Sequence, residues 1–382
     1  MQKIKIGVVG LGHRGRHMSR LAADSFEAVE FKAACDIDPL LWHETQWLQD
    51  KPMKEMYPDV HFYTDYREML DKEKLDLILV ETGADVHADF CIEALGRNLN
   101  VFSDIPSVAS LDEAKRLWAA EQNSKGKLMT GANPNEWGFI NALVDLYKKG
   151  LLGEPYYMEA EYIHATRNPT ATNPLIVHSP WRKTLVPIRY CTHSLGPLLR
   201  IMKELLRYAI CVGTGPHIDP NAPKDDMQAA LFQTESGVTI RLLRNGRCKA
   251  FFGHHSYRVF GTKGYFERIA RRGATPDTVR FQTDGLYGLT ELTELPVGDM
   301  PSEYLDNKKA TGHGGVDYAL LDHMFKAMLG GKTEMPITLR EGLAMTLPGI
   351  YAAKSAKLGG QKLTIHYPWE DGFEADIPLI DK

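Results

Sequence analysis

The segment IKIGVVG runs directly into Gly10-Leu11-Gly12-His13-Arg14-Gly15, and the amphipathic stretch HRGRHMSRLAADS follows with Met18, Leu21 and Ala22 on one side. Three glycines between a strand and a helix strongly constrain the fold. The first permits a tight turn, the second lets backbone approach a pyrophosphate, and the third lets helix and strand pack closely. Phosphate charge then meets the free N–H groups of the helix start. Asp36 closes the next apolar run, FKAACDID, at the spacing that suits a ribose 2′-hydroxyl. Gly10, Gly12, Gly15 and Asp36 are thus expected to hold a dinucleotide. An acid at Asp36 repels a 2′-phosphate, so NAD(H) is expected rather than NADP(H). His13 and Arg14 either brush the phosphates or simply begin a solvated helix.

Alternation continues through the first third. LDLILVET, NVFSDI and GKLMTGAN read as buried strands, with helical patterns between them in DVHADFCIEALGRN and SLDEAKRLWAAEQNSKG, the latter capped by Ser110. Such a chain is α/β, a Rossmann sheet of parallel strands wound on both faces. Thr82 and His87 fall at the crevice end of the fourth strand, where they line a ligand or cap a helix. A chain of 382 residues exceeds one ordinary domain. The first is expected over 1–134 and the second over 135–382.

In the second part EPYYMEAEYIHA, RYAICVG, DMQAALFQT, GVTIRLLRNG and SYRVFGTKGYFERI are strand-like, joined by turns such as Glu235-Ser236-Gly237 and Gly261-Thr262-Lys263-Gly264. This predicts an α+β domain with an open, mainly antiparallel sheet. Two helices, VDYALLDHMFKAMLGG and REGLAMTLPGIYAAKSAKLGG, end it, with Pro348 expected to kink the second. Residues 271–311 read as a long excursion near the surface.

Composition narrows the function. The chain is 43% hydrophobic and 25% charged with a net charge of −4, which gives no electrostatic case for nucleic acid or an anionic membrane. No apolar run approaches the ~20 residues that span a bilayer. Five scattered cysteines without a CxxC argue against disulfide and zinc frameworks, and no metal is expected. A strand at the very start leaves no room for a signal peptide, so a cytoplasmic protein is expected; an exported one with its leader cleaved would read the same.

Proton-moving groups gather in three places beyond the first domain. Tyr162 and His164 share a strand face in EYIHATR, with Arg167 beyond. Tyr190 and His193 are three apart in RYCTHSLGPLL, where a helix start would project both to one side, or Gly196-Pro197 would mark a break. His313 lies among glycines in TGHGGVDYALL, with Asp317 in the first helical turn. Each has an ordinary reading: a satisfied core tyrosine, a structural histidine, an acid at a helix start.

The glycine loop, ETGADVH and the strand ending in DIP resemble the Gfo/Idh/MocA superfamily of sugar and inositol oxidoreductases. The resemblance implies a C-terminal sheet that floors the substrate site and commonly joins subunits, hence a homo-oligomer. It also places Asp104 and Pro106 in the cofactor pocket, with Asp104-Ile105-Pro106 where the superfamily usually has Glu-Lys-Pro. That lysine commonly assists hydride transfer, and a plain alcohol dehydrogenase is disfavoured without it. EYIH, Trp181-Arg182, YCTHSLGP and GHGGVDY more closely resemble the NAD-dependent α-N-acetylgalactosaminidase branch, although Cys191 and Ser194 replace its usual proline and glycine. That branch implies a glycosidase working by transient C3 oxidation of the sugar, C2 deprotonation, elimination at C1, water addition and re-reduction, or a lyase that stops after elimination. By the same resemblance Tyr190 and His193 exchange the protons, and Tyr162, His164, Arg182, His313 and Asp317 bind the sugar. Arg182 serves equally well in a salt bridge. A sugar dehydrogenase forming 3-keto sugars and a non-catalytic NAD- or sugar-binding regulator are the alternatives.

Overall fold

The computed structural model describes residues 3–46, 49–164, 181–249, 254–270, 278–332 and 334–375. Its first sheet has six parallel strands: β1 (Ile4–Val9), β2 (Val29–Cys35), β3 (His61–Tyr63), β4 (Leu77–Val80), β5 (Asn100–Ser103) and β6 (Leu128–Thr130). They lie in the order β3-β2-β1-β4-β5-β6. All four residues of β4 are buried, as an apolar run covered on both faces requires. Right-handed crossovers in this order place helices on both sides and reverse direction between β1 and β4, opening a crevice beyond the strand ends there. The helices include α1 (His13–Ser25), α2 (His87–Gly96) and α3 (Leu111–Gln122). Met18, Leu21 and Ala22 are the buried side of α1, as their spacing predicts. Ser110 caps α3 by accepting from the Glu113 N–H at 3.1 Å.

The second sheet has nine strands: β7 (Pro155–Ile163), β8 (Leu206–Gly213), β9 (Met227–Thr234), β10 (Thr239–Asn245), β11 (His254–Gly261), β12 (Gly264–Ile269), β13 (Thr278–Thr283), β14 (Thr293–Leu295) and β15 (Leu363–Thr364). Their order is β14-β13-β12-β11-β7-β10-β9-β8-β15, antiparallel throughout except between β7 and β10. Both expected hairpins form, β9–β10 and β11–β12, the first turning at Gly237 with φ of 95°. Alongside lie α4 (Gly138–Lys148), α5 (Thr192–Leu199), α6 (Val316–Leu329) and α7 (Leu339–Lys357). The Ser355 hydroxyl of α7 accepts from the Cys211 N–H of β8 at 2.9 Å, fixing that helix to the sheet.

One expectation is corrected. Residues 271–311 are not merely an excursion: β13 and β14 extend the sheet edge, and the alternation TVRFQT buries Val279 and Phe281. Pro348 does not interrupt its helix, which continues through it to Lys357. Gly196-Pro197 likewise lies within α5, where a Cβ on Gly196 would meet the Asn135 amide and the Met345 sulfur at 2.9–3.0 Å.

Candidate functional site

The glycine loop shows why each of its glycines is needed. Gly10 has φ of 91°, and a Cβ there would stand 2.7 Å from the backbone of Glu81. A Cβ on Gly15 would lie 1.8 Å from the Gly10 carbonyl oxygen. Gly12 differs, since nothing lies within 4 Å of the place its Cβ would take. The loop is therefore open outward at the second glycine alone. No side chain caps α1, so its first N–H groups remain available to an anion. Asp36 ends β2 with one oxygen accepting from the Leu11 N–H at 2.6 Å and the other from Asp38 N–H at 2.9 Å. These features fit a dinucleotide: an outward-open loop, a free helix start and an acid at the neighbouring strand end.

The other cofactor-side candidates are disposed less simply. His13 is exposed at the helix start. Arg14 turns away from the loop, and all three of its nitrogens meet carboxylates. Its Nε donates to Asp104 at 2.9 Å, and Nη1 and Nη2 donate to Asp317 at 2.6 and 3.0 Å. Arg14 therefore faces carboxylates rather than solvent at the helix start. His87 is 2% exposed, its two ring nitrogens facing the Asp104 and Thr82 carbonyl oxygens at 3.1 and 2.9 Å. Burial lowers its pKa, and the neutral ring donates to one of these two carbonyls. Pro106 is buried behind a cis Ile105–Pro106 bond.

Asp317 is also corrected, because its side chain is wholly buried and saturated rather than open to a sugar. Besides Arg14 it accepts from Asn133 at 2.9 Å and meets His17 Nε2 at 3.1 Å and His313 Nδ1 at 2.8 Å. Burial opposes its charge, but Arg14 and the two imidazoles hold its carboxyl well below the usual range. His313, anchored by that carboxylate, keeps an exposed ring on a turn of four successive positive φ angles, Gly312 to Gly315.

A second group forms on the sheet. Tyr162 of β7 pairs in register with His255 of β11 on one side and Arg244 of β10 on the other, so the three stand in one row across adjacent strands. The His255 ring stacks on Tyr162 with centroids 3.8 Å apart, and the Arg244 guanidinium lies 4.0 Å from the same ring centre. Tyr190, just before α5, and His193, in its first turn, have ring centroids 5.2 Å apart. His193 lies 5.8 Å from Tyr162 and 6.0 Å from His255. The Nδ1 atoms of His193 and His255 are both buried and have no hydrogen-bond partner among the described residues. Burial, with Arg244, Arg14 and His313 adding to it and Asp104 opposing, pushes the His193 imidazole down to about 3. His164 is exposed at the end of β7, its backbone clasped by the Asn245 amide at 2.7 and 2.8 Å.

Trp137 connects the two groups. Trp137 donates from its indole N–H to the His313 carbonyl oxygen at 3.3 Å, and its ring meets His255 edge-on at 4.9 Å. Trp181 approaches the cofactor crevice, where a Cβ on Gly83 would lie 3.0 Å from its ring. The Arg182 side chain and Arg167 lie outside what is described. His255, Arg244 and Glu81 are additions that linear reading missed.

The match to known proteins agrees with this geometry. Residues 4–132 match the Gfo/Idh/MocA model, an oxidoreductase family with an NAD-binding Rossmann fold. An α-N-acetylgalactosaminidase of Shewanella oneidensis is 22% identical over 410 residues, covering 96% of this chain and 85% of its own. Among solved structures, levoglucosan dehydrogenase in complex with NADH and L-sorbose superposes with a TM-score of 0.78 at 15% identity, covering 96% of this chain and all of the other. An NAD⁺-complexed inositol dehydrogenase homologue from Azotobacter vinelandii gives 0.77 at 17%, covering 95% and 98%. At such identities the structural likeness shows the fold alone. With glycine loop, strand order and family match in accord, residues 4–132 are an NAD-binding Rossmann domain of the Gfo/Idh/MocA oxidoreductase family.

Proposed function

We infer that this chain cleaves glycosides in an NAD-dependent cycle that leaves no net oxidation. The observation that carries the reading is the Tyr162–Tyr190–His193–His255 cluster, whose two unpartnered buried Nδ1 atoms sit beside a dinucleotide domain that has Ile105 where the superfamily usually has lysine. The rings in contact there are phenols and imidazoles with Arg244 over two of them, not the pair of carboxylic acids of an ordinary glycosidase. Bound NAD supplies a reversible hydride acceptor at C3 of the sugar.

Tyr190 and His193 move the protons. One accepts the C3 hydroxyl proton; the ketone then acidifies the C2 hydrogen, which the other accepts as the C1 substituent departs. Water adds at C1, and the same two groups return their protons as the ketone is restored to an alcohol. Each such transfer is worth ~10²–10⁴-fold. Burial keeps the resting His193 neutral but weakens it as a base, and the Asp104 carboxylate opposes that by raising its affinity for a proton. Tyr162, His164, His313 and Arg182 bind hydroxyls, Gly10, Gly12 and Gly15 hold the pyrophosphate, and Asp36 the ribose. The glycosidase names of the sequence relatives support this reading.

Incubation with aryl glycosides and no added electron acceptor tests it. Aglycone release with solvent deuterium entering C2 is expected. Stoichiometric accumulation of reduced cofactor without release would instead mark a sugar dehydrogenase, and ligand binding without turnover a regulator.

A further inference from the structure

Glu81 follows β4 immediately, as Asp104 follows β5, and the Val80–Ser103 register makes them the next pair along the two strands. Glu81 is 7% exposed, and neither of its carboxyl oxygens has a hydrogen-bond donor among the described residues. Its Cβ underlies the glycine loop, 3.1 Å from where a Cβ on Gly15 would be. A buried carboxylate without donors is costly, whereas a neutral acid beside the Asp104 carboxylate has an acceptor for its own O–H. Burial and the Asp104 charge push its carboxyl well above the usual range, with Arg14 opposing and Asp317 reinforcing.

Its place in the crevice gives the proton a use. With Asp36 at the ribose and the glycine loop at the pyrophosphate, the rest of a dinucleotide extends toward the ends of β4 and β5. The oxidised nicotinamide carries a positive charge that the reduced ring lacks, and a nearby cation favours the ionised form of an acid. We propose that Glu81 is a proton-holding partner of Asp104 that releases its proton when oxidised dinucleotide occupies the crevice and retains it when reduced dinucleotide does. The facing groups are Asp104 from β5, Arg14 from α1, Asp317 from α6 and His87, which spans the two loops. Glu81 would thereby set the balance between oxidised and reduced cofactor without touching a sugar.

Displacing bound NADH with NAD⁺ by titration calorimetry at constant pH, in two buffers of different ionisation heat, counts the protons set free. Wild type should release a substantial part of one proton per exchange, and its preference for NAD⁺ should rise by up to about tenfold per pH unit. E81Q, checked for retained NADH fluorescence, should release close to none. Exchange without proton release between pH 6 and 9, or release in E81Q equal to wild type, overturns the proposal. Should E81Q fail to fold, E81M serves: it carries no titratable proton either, so release should vanish, while release equal to wild type overturns the idea. No sugar is present, so the outcome is independent of glycosidase activity.

Discussion

Arg14 grips both carboxylate oxygens of Asp317, at 2.6 and 3.0 Å, although 303 residues separate them. The first turn of the nucleotide-binding helix is thereby joined to the first turn of α6, the helix that supports His313. Removing one member of a buried pair leaves the other charge unmatched. R14A should cost about 3 kcal/mol of stability by urea denaturation followed by circular dichroism, and equal stability would refute the assignment. The pH dependence follows in sign. The folded Asp317 carboxyl lies well below its unfolded value, so its contribution is complete above about pH 4 and is lost as the pH falls from there.

The glycines separate folding from binding. G15A places a methyl 1.8 Å from the Gly10 carbonyl oxygen and should destabilise the protein by about 3 kcal/mol or more. G12A meets nothing, and φ of −56° suits alanine, so its melting temperature should match wild type. If the pyrophosphate approaches there, NADH titration should still show at least about tenfold weaker binding, or 1.4 kcal/mol. Full affinity in G12A would remove that glycine from the cofactor site.

His193 should titrate far from an ordinary histidine. Its ring nitrogens, followed by nitrogen NMR, should remain neutral from pH 8 to 5. The unfolded imidazole gains a proton below about pH 6.5 while the buried one does not, so stability falls as pH drops through that window. The loss between pH 7 and 5 is on the order of 2 kcal/mol from this group, and H193N should lack it. A protonated ring at pH 6 contradicts the placement. H193N and Y190F should each lose turnover by ~10²–10⁴-fold while NAD stays bound.

H255F preserves the stack on Tyr162 but removes the buried Nδ1. We expect turnover to fall by roughly 10²-fold with NADH affinity unchanged. Wild-type rates would reduce His255 to packing.

Linear reading found what is local. Alternation gave the parallel, doubly wound sheet, glycine spacing the loop, and three-residue spacing the Tyr190/His193 pair. His255 and Arg244 escaped because register, not sequence, sets them beside Tyr162, across antiparallel and parallel pairings respectively. Glu81 escaped because an acid closing an apolar run looks solvated until the loop above it is known to be glycine-lined. Arg14 and Asp317 were each read as facing a ligand because nothing local shows that one chain end will meet the other. β13 was masked by glycine- and proline-rich neighbours.

The turn from Gly312 to Gly315 carries one side chain among four left-handed positions, with φ of 47° at His313. A residue with a Cβ forfeits about 1 kcal/mol in such a conformation. That cost is set against the contact its Nδ1 makes with the buried Asp317 carboxylate at 2.8 Å. One imidazole thus carries a conformational penalty and joins the glycine turn to the first turn of α6.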